Sequence, residues 1–263
     1  MVGKLAVTFI VLLQACGFSS SVSSSPNLFK NDQMPLTSAA SEEIRVPVLL
    51  GVMSNCPDAL YCERVFNDVL SQVGPLVELD VTYIARVNAS EPTYGVTCRH
   101  GENECRGNVQ QLCAIRSTRS SSPLNLQAMS REYDEPSWRT WWSFITCQNA
   151  GGRYAPGKED IAKQCARSVG LPWVDVEYPG GASKLGVGSC FHNEVIARTL
   201  LLQSVERTRA MGITNSCTVF INGVKTCIRD DDKWKDCKAG KGSVDDFVKL
   251  IHKEHKRLNR KSP

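Results

Sequence analysis

Beyond about residue 26, the sequence lacks any apolar run that approaches the roughly 20 residues needed to span a membrane. It also lacks a strong charge of either sign: the formal net charge is +4, and much of the basic excess lies between Lys249 and Lys261. A short basic tail of this kind is typical of a solvated helix end. These absences argue against a membrane span and leave nucleic-acid binding without support, so we expect a soluble mature protein.

The first residues are typical of a targeting segment. Lys4 precedes an apolar stretch, Leu5–Leu13, which is followed by small residues and a serine run. This pattern predicts a secretory signal peptide over residues 1–26. A bacterial lipoprotein with Cys16 as the lipidated residue is the alternative, although the bulky Gln14 suits it poorly. Residues 27–44 are rich in serine without a hydrophobic period, which predicts a flexible leader or propeptide.

Cysteine is abundant, with 12 residues in the chain and 11 after the predicted signal peptide is removed. In a chain routed to an oxidising compartment, this density favours a framework of disulfide bonds. The odd number leaves at least one cysteine unpaired or engaged elsewhere. Asn88-Ala-Ser is a glycosylation sequon, which predicts a modified Asn88 and agrees with a secretory route.

The chain is organised around one cysteine that lies between a strand and a helix. The apolar run Val46–Met53 predicts a buried strand, and Ser54 and Asn55 are turn or cap residues. Cys56 and Pro57 then precede an amphipathic helix, with one apolar face formed by Val65, Phe66, Val69, Leu70 and Val73. At such a junction the backbone N–H groups and the helix dipole favour a thiolate. The arrangement is that of a thioredoxin-type redox centre.

The elements after this helix follow the thioredoxin order. Gly74-Pro75 breaks the helix, and a second strand over Leu76–Val87 completes a right-handed parallel β-α-β unit. The cysteine-rich stretch 88–171 is predicted to be a mostly helical insertion tied by disulfide bonds. Its predicted helical fragments are Glu104–Ile115, Ser137–Gln148 and Lys158–Val169.

Beyond the insertion, a helix over about Asn193–Met211 precedes two short apolar runs around Asn222-Gly223, which is a strong hairpin signal. Ser243 is predicted to cap a final helix. The patterns therefore predict an α/β domain over residues 45–258, with a thioredoxin-like fold and a disulfide-rich insertion. Residues 259–263 are left as a basic tail.

A second cluster, Cys98-Arg-His-Gly-Glu-Asn-Glu-Cys-Arg-Gly-Asn-Val-Gln-Gln-Leu-Cys113, combines three cysteines with one histidine. A zinc site is disfavoured because none of the spacings is a two-residue knuckle. The cluster resembles the signature of the gamma-interferon-inducible lysosomal thiol reductases, except that Arg99 replaces the usual glutamine. The matching positions are Cys98, His100, Gly101, Glu104, Cys105, Asn108 and Cys113.

The resemblance implies a thioredoxin-like enzyme, without a cofactor or metal, that reduces protein disulfides in acidic endolysosomal or vacuolar compartments or outside the cell. Its partners would be disulfide-containing proteins and a small-thiol reductant. The family's Cys-x-x-Cys maps to Cys56 and, less directly, to Cys62, so that the Cys56 thiolate would attack and Cys62 would resolve the mixed disulfide.

The sequence departs from the family in two places. Cys56 and Cys62 are six residues apart, which is about 9 Å along a regular helix, so they can pair only if the segment from Cys56 to Asp58 lies outside the helix. Cys217 holds the place before the third strand where thioredoxin folds have a cis-proline, and it is a second candidate partner for Cys56. Asp58 adds a negative charge near Cys56 unless it caps the helix.

Each of these residues also has a structural interpretation. Cys56 and Cys62 would then form a disulfide that pins the first helix, His100 would be a loop or cap residue, and Glu104 and Asn108 would shape the loop around Cys105. Disulfide bonds of the insertion are predicted among Cys98, Cys105, Cys113, Cys147, Cys165 and Cys190, and a further bond between Cys227 and Cys237. The alternative to a thiol oxidoreductase is thus a catalytically silent, disulfide-stapled binding module of the same fold.

Overall fold

The computed structural model describes residues 43–119, 136–177 and 183–260. The predicted signal peptide, most of the predicted leader and the last three residues lie outside these ranges. The strands are β1 (Val46–Val52), β2 (Val77–Tyr83), β3 (Arg86–Val87), β4 (Val96–Thr97), β5 (Val176–Glu177), β6 (Ser183–Lys184), β7 (Thr218–Ile221), β8 (Val224–Asp230) and β9 (Lys233–Lys235). The helices are α1 (Pro57–Val73), α2 (Glu102–Arg119), α3 (Arg139–Ala150), α4 (Glu159–Ser168), α5 (Val187–His192), α6 (Glu194–Ala210) and α7 (Val244–Leu258).

A five-stranded sheet of order β2-β1-β7-β8-β9 forms the centre of the fold. β1 runs parallel to β2, because α1 connects the two strands as a crossover. β7 pairs with β1 in the antiparallel direction, and a hairpin joins β7 to the antiparallel β8. The hairpin turns at Asn222 and Gly223, whose positive φ angles suit this tight connection. The predicted parallel unit and hairpin are confirmed.

Helices cover the sheet. Phe66 of α1 packs on Phe247 of α7 with ring centroids 4.9 Å apart. On β2, the Ser204 hydroxyl of α6 accepts the Tyr83 N–H at 2.8 Å, and the Thr82 hydroxyl donates to the Ser204 carbonyl at 3.0 Å. The Asn193 side chain caps α6, and Ser243 and Asp246 form a capping box at α7, as a serine start predicts.

Three helices occupy the predicted insertion, and their bounds differ from the expected ones by one to four residues. The short α5 and the edge strand β9 were not expected from the sequence. No helix of residues 43–119, 136–177 or 183–260 is long and apolar enough to cross a membrane. The strand order, the β-α-β unit and the closing β-β-α unit make this a thioredoxin-like fold with a helical insertion between β2 and α6.

Candidate active site around Cys56

Cys56 lies at the junction between β1 and α1, as the sequence predicts. It is the N-cap residue of α1 with an extended backbone, Pro57 occupies the first helical turn, and the Cys56 carbonyl accepts the Leu60 N–H at 3.1 Å. The residue is 7% exposed, and its sulfur lies 3.7 Å from the carbonyl oxygen of Ser216. Among the cysteines that the structure describes, Cys56 alone is free.

The predicted pairings of Cys56 differ from the observed bonds. Cys62 bonds to Cys217 with Cα atoms 6.2 Å apart, so Cys56 is joined neither to Cys62 nor to Cys217. The physical reason is that α1 begins at Pro57, so Pro57 and Asp58 are helical and the rise of the helix separates Cys56 from Cys62. Cys62 is fully buried and faces the start of β7, where Cys217 lies. Cys62 is therefore not a free thiol in this oxidation state. The peptide bond between Ser216 and Cys217 is cis, at the place expected for the thioredoxin cis-proline.

The remaining described cysteines form four disulfide bonds. Within and next to the insertion these join Cys98 to Cys105, Cys113 to Cys190, and Cys147 to Cys165. The fourth bond joins Cys227 to Cys237. The six cysteines predicted to pair among themselves do so, and the predicted bond beyond the hairpin is present. Among residues 43–119, 136–177 and 183–260, no group of three or more His, Cys, Asp and Glu side chains is placed to hold a metal ion.

A small cavity of about 150 Å³ opens beside the Cys56 thiol. Its lining combines Ser216 with the charged or titratable side chains of Arg99, His100, Arg153, Asp58, Asp230 and Asp231. A cavity of this size admits a side chain or a small thiol rather than a folded surface. The arrangement therefore places a nearly buried thiol beside a small cavity lined largely by polar and charged side chains.

The acidic groups of the cavity have cationic partners. Asp58 is 3.2 Å from Nε of Arg229 and accepts the Asp232 N–H, so its charge is compensated rather than directed at Cys56. Lys235 donates to Asp230 at 2.8 Å and to Asp231 at 2.9 Å. The hydrogen bond from Lys235 is the main cause of the lowered pKa of Asp230. The negative charges of the cavity are thus held in ion pairs.

The signature residues pack directly against the turn that carries Cys56. The side-chain oxygen of Asn108 accepts the Ser54 N–H at 3.0 Å, and the Ser54 hydroxyl donates to the Glu104 carbonyl at 3.1 Å. From the other side, Nε of Arg153 donates to the Asn55 carbonyl at 2.8 Å. The signature was expected to shape the loop around Cys105. Its contact with the Cys56 turn was not expected, because the pattern identifies residues without their partners.

Asn88 of the sequon lies at the start of the β3–β4 connection. Its side-chain nitrogen donates to the Thr97 hydroxyl at 3.0 Å, and its side-chain oxygen accepts the Ser90 N–H at 3.2 Å. Glycosylation of Asn88 stays a prediction.

Gly107 of α2 is expected to tolerate no side chain, because Ser54 packs on it. A Cβ atom there would lie 2.5 Å from the Ser54 hydroxyl, 3.0 Å from Pro156 and 3.1 Å from the Gly157 nitrogen. We expect Gly107→Ala to lower the free energy of unfolding by about 1–3 kcal/mol, despite the better helix propensity of alanine. Urea denaturation measures this, with Ser143→Ala on the exposed face of α3 as the control. An unchanged or raised stability would contradict the close packing of α2 on the Cys56 turn.

Comparison with known proteins relates the chain to a protein family. The profile described as "Gamma interferon inducible lysosomal thiol reductase (GILT)" matches residues 47–169. GILT-like protein 1 of Drosophila melanogaster is 28% identical over 137 residues, which are 50% of this chain and 51% of that protein. The alignment thus spans about half the length of this curated relative.

The structure is also similar to several bacterial DsbA proteins. Reduced DsbA of Mycobacterium tuberculosis is 12% identical, with 87% of this chain and 89% of that chain covered and a TM-score of 0.43. DsbA of Pseudomonas aeruginosa is 12% identical, with 84% and 89% covered and a TM-score of 0.41. Because these sequence identities and TM-scores are low, the fold is assigned from the strand order and connections of the chain itself. The profile match contains Cys56 and all seven signature positions, and together with the Drosophila relative it supports membership of the chain in the gamma interferon inducible lysosomal thiol reductase family.

Proposed function

We propose that the protein is a thiol–disulfide oxidoreductase that reduces disulfide bonds of protein substrates, with Cys56 as the attacking thiol. The observation that carries the proposal is a free cysteine at the start of α1, opening into a small cavity, in a fold whose other described cysteines are bonded. Helix starts and neighbouring cations are where reactive thiols occur. Family membership supports the same chemistry.

The reaction is a series of exchange steps. The Cys56 thiolate attacks one sulfur of the substrate disulfide, a mixed disulfide with Cys56 forms, and the other substrate sulfur leaves as a thiol. A small-thiol reductant then attacks the substrate sulfur of the mixed disulfide and releases Cys56, and a second small thiol frees the substrate sulfur and leaves with the first as a small disulfide. Cys62 serves as the resolving thiol only in molecules whose bond to Cys217 has been opened, because that bond holds it in this structure.

We further propose that the protein works in the secretory pathway, either secreted or in a lysosome or vacuole. Five disulfide bonds among the described residues support an oxidising route, since such bonds are rare in the cytosol. The second candidate function is a catalytically silent binding module. It is favoured by one specific observation, the bond between Cys62 and Cys217, which leaves Cys56 without a second free thiol on the same helix.

A turnover assay separates the two. The purified protein is incubated with insulin and 2-mercaptoethanol at about pH 5 and about pH 7, since the thiolate fraction depends on pH. We expect reduction to exceed that by 2-mercaptoethanol alone, and an acid quench followed by peptide mass spectrometry to find substrate bonded to Cys56. Reduction no faster than with the small thiol alone at either pH, with Cys56 unmodified, would favour the binding module.

A further inference from the structure

His100 is the feature of the signature that the proposed exchange leaves without a role. It lies in a short loop closed by the bond between Cys98 and Cys105. Within the loop the Gly101 N–H donates to the Cys98 carbonyl at 3.3 Å, and Gly101 has a φ of +88°, which glycine adopts without strain. The loop therefore holds the backbone of His100 in one place at the start of α2.

The side chain of His100 is held as firmly as its backbone. Oε1 of Glu104 accepts the His100 backbone N–H at 3.2 Å, while Oε2 contacts the ring nitrogen Nδ1. The Glu104 side chain is completely buried, and the His100 side chain is 17% exposed. A carboxylate at Nδ1 accepts a hydrogen bond from the N–H group there, so the second ring nitrogen, Nε2, is the one left to exchange protons elsewhere.

The cavity beside His100 is the cavity of Cys56. Both residues line the same 150 Å³ space, together with Ser216, whose carbonyl lies against the Cys56 sulfur. A disulfide that reaches Cys56 through this cavity brings its second sulfur into the space that His100 also lines. In other enzymes a nucleophile lies beside an acid–base residue that a carboxylate orients. Cys56, His100 and Glu104 have this arrangement.

We propose that His100 is a catalytic residue that donates a proton from Nε2 to the sulfur leaving the substrate, and that Glu104 is its positioning residue. The proposal depends on the proposed function, in which Cys56 attacks a disulfide. In the first step the substrate S–S bond breaks, a bond between Cys56 and one substrate sulfur forms, and the other sulfur leaves with the proton from His100. In the second step a small thiol returns a proton to Nε2 and attacks the substrate sulfur of the mixed disulfide, which releases the Cys56 thiolate. A second small thiol then breaks the new bond to the substrate sulfur, so the substrate leaves with both sulfurs reduced and the two small thiols leave as their disulfide.

Protonation of the leaving sulfur matters only when that sulfur is basic. An alkyl thiolate is a poor leaving group, so a positioned acid accelerates its departure, whereas an aromatic thiolate of low pKa leaves without help. A purely structural His100 would affect both kinds of substrate alike, because it would act through the position of Cys56. The dependence on the leaving group therefore distinguishes the two roles.

The test compares His100→Gln with the unaltered protein on two neutral disulfides, bis(2-hydroxyethyl) disulfide and 2,2′-dithiodipyridine. In His100→Gln, we expect the rate of reduction of the alkyl disulfide, bis(2-hydroxyethyl) disulfide, to fall about tenfold to a hundredfold. The rate of reduction of the aromatic disulfide, 2,2′-dithiodipyridine, should change less than about twofold. His192→Gln is the matched control, because His192 also contacts a carboxylate, that of Glu159 at 3.3 Å, but does not line the cavity. It should leave both rates unchanged.

Equal losses on both disulfides, or no loss on either, would overturn the role of His100 while leaving Cys56 exchange intact. An unaltered protein that reduces neither disulfide would instead overturn the proposed function, and the role of His100 with it. If His100→Gln does not fold, Glu104→Gln is used to test the proposal instead. Its amide oxygen can still accept a hydrogen bond from His100. That variant is expected to show the same selective loss on the alkyl disulfide, to a smaller extent, and equal losses on both substrates would count against the proposal.

Discussion

Replacing Cys56 by serine is expected to lower the rate of protein disulfide reduction at least about a thousandfold, to the rate of the small thiol alone. The physical reason is that a serine hydroxyl stays protonated and does not form a bond that exchanges with sulfur. No other described cysteine can take over, since the remaining ones are bonded, and Cys62 and Cys217 are fully buried. Insulin reduction with 2-mercaptoethanol measures the effect.

The matched control is the double variant Cys227→Ser, Cys237→Ser. It removes a disulfide bond beyond the hairpin without touching the cavity of Cys56. We expect this variant to keep its rate within about threefold, because exchange at Cys56 needs none of its atoms. Serine at position 56 fills the same nearly buried site, so thermal unfolding should confirm that Cys56→Ser is folded. A Cys56→Ser protein that retains the rate of the unaltered chain would remove Cys56 from the mechanism.

Local signals explain why so much of the fold could be predicted from the sequence. The apolar run before Cys56, the amphipathic period of α1 and the Asn222-Gly223 turn each specify their element within a few residues. The short α5 carries no such signal, because it contains Gly188, which is a poor helix former. Tertiary contacts stabilise it instead: Cys190 is bonded to Cys113, and the Trp173 ring packs on Gly188 so closely that a Cβ would lie 2.2 Å from it.

The position of Cys56 could be predicted from the sequence, but the disulfide bonds and ion pairs around it could not. The strand–cysteine–helix pattern places Cys56 correctly, since that signal is local. The bond between Cys62 and Cys217 joins residues 155 positions apart, and spacing alone does not determine such a pairing. For the same reason the sequence indicates that Asp58 adds a negative charge near Cys56, while the structure pairs it with Arg229 of β8. Long-range contacts decide the electrostatics of the cavity.

Replacing Glu63 by glutamine is expected to stabilise the protein by about 3 kcal/mol at pH 7 and to have little effect near pH 4.5. Glu63 follows Cys62 in α1 and is 2% exposed. One carboxyl oxygen accepts the Asn149 side-chain N–H at 2.5 Å, and the other has no hydrogen-bond partner among the described residues. Burial raises the pKa of Glu63 from 4.5 to about 8, and the hydrogen bond from Asn149 offsets only part of this rise.

The sign of the effect follows from which state binds the proton. Below about pH 4.5 the carboxyl is protonated in both the folded and the unfolded chain, so it has no influence on stability. Between about pH 4.5 and pH 8 the unfolded chain releases the proton and the folded protein keeps it, so stability falls by about 1.4 kcal/mol per pH unit. Glutamine is neutral at every pH and has nearly the same shape, and its side-chain oxygen can still accept from Asn149.

Other carboxyl groups oppose this dependence, so only the difference between variants isolates Glu63. Hydrogen bonds from backbone N–H groups lower the pKa of Asp246, and the hydrogen bond from Arg257 lowers that of Glu254. Both groups stabilise the fold at neutral pH and lose that contribution as the pH falls through their lowered pKa values. Urea unfolding of the unaltered protein and of Glu63→Gln at about pH 4.5, 6 and 7 should therefore give two curves that diverge as the pH rises.

An exposed carboxyl group on α6 serves as the control for the buried carboxyl of Glu63. Glu206→Gln removes an exposed carboxyl of α6 and should shift stability by less than about 0.5 kcal/mol at each pH. A gain for Glu63→Gln that is equal at all three pH values, or absent at pH 7, would mean that the folded protein holds Glu63 ionised. The expected divergence would instead show that one buried carboxyl beside Cys62 costs the fold stability at neutral pH and not in acid. In a lysosome, one of the locations proposed for this protein, that cost is smaller than at neutral pH.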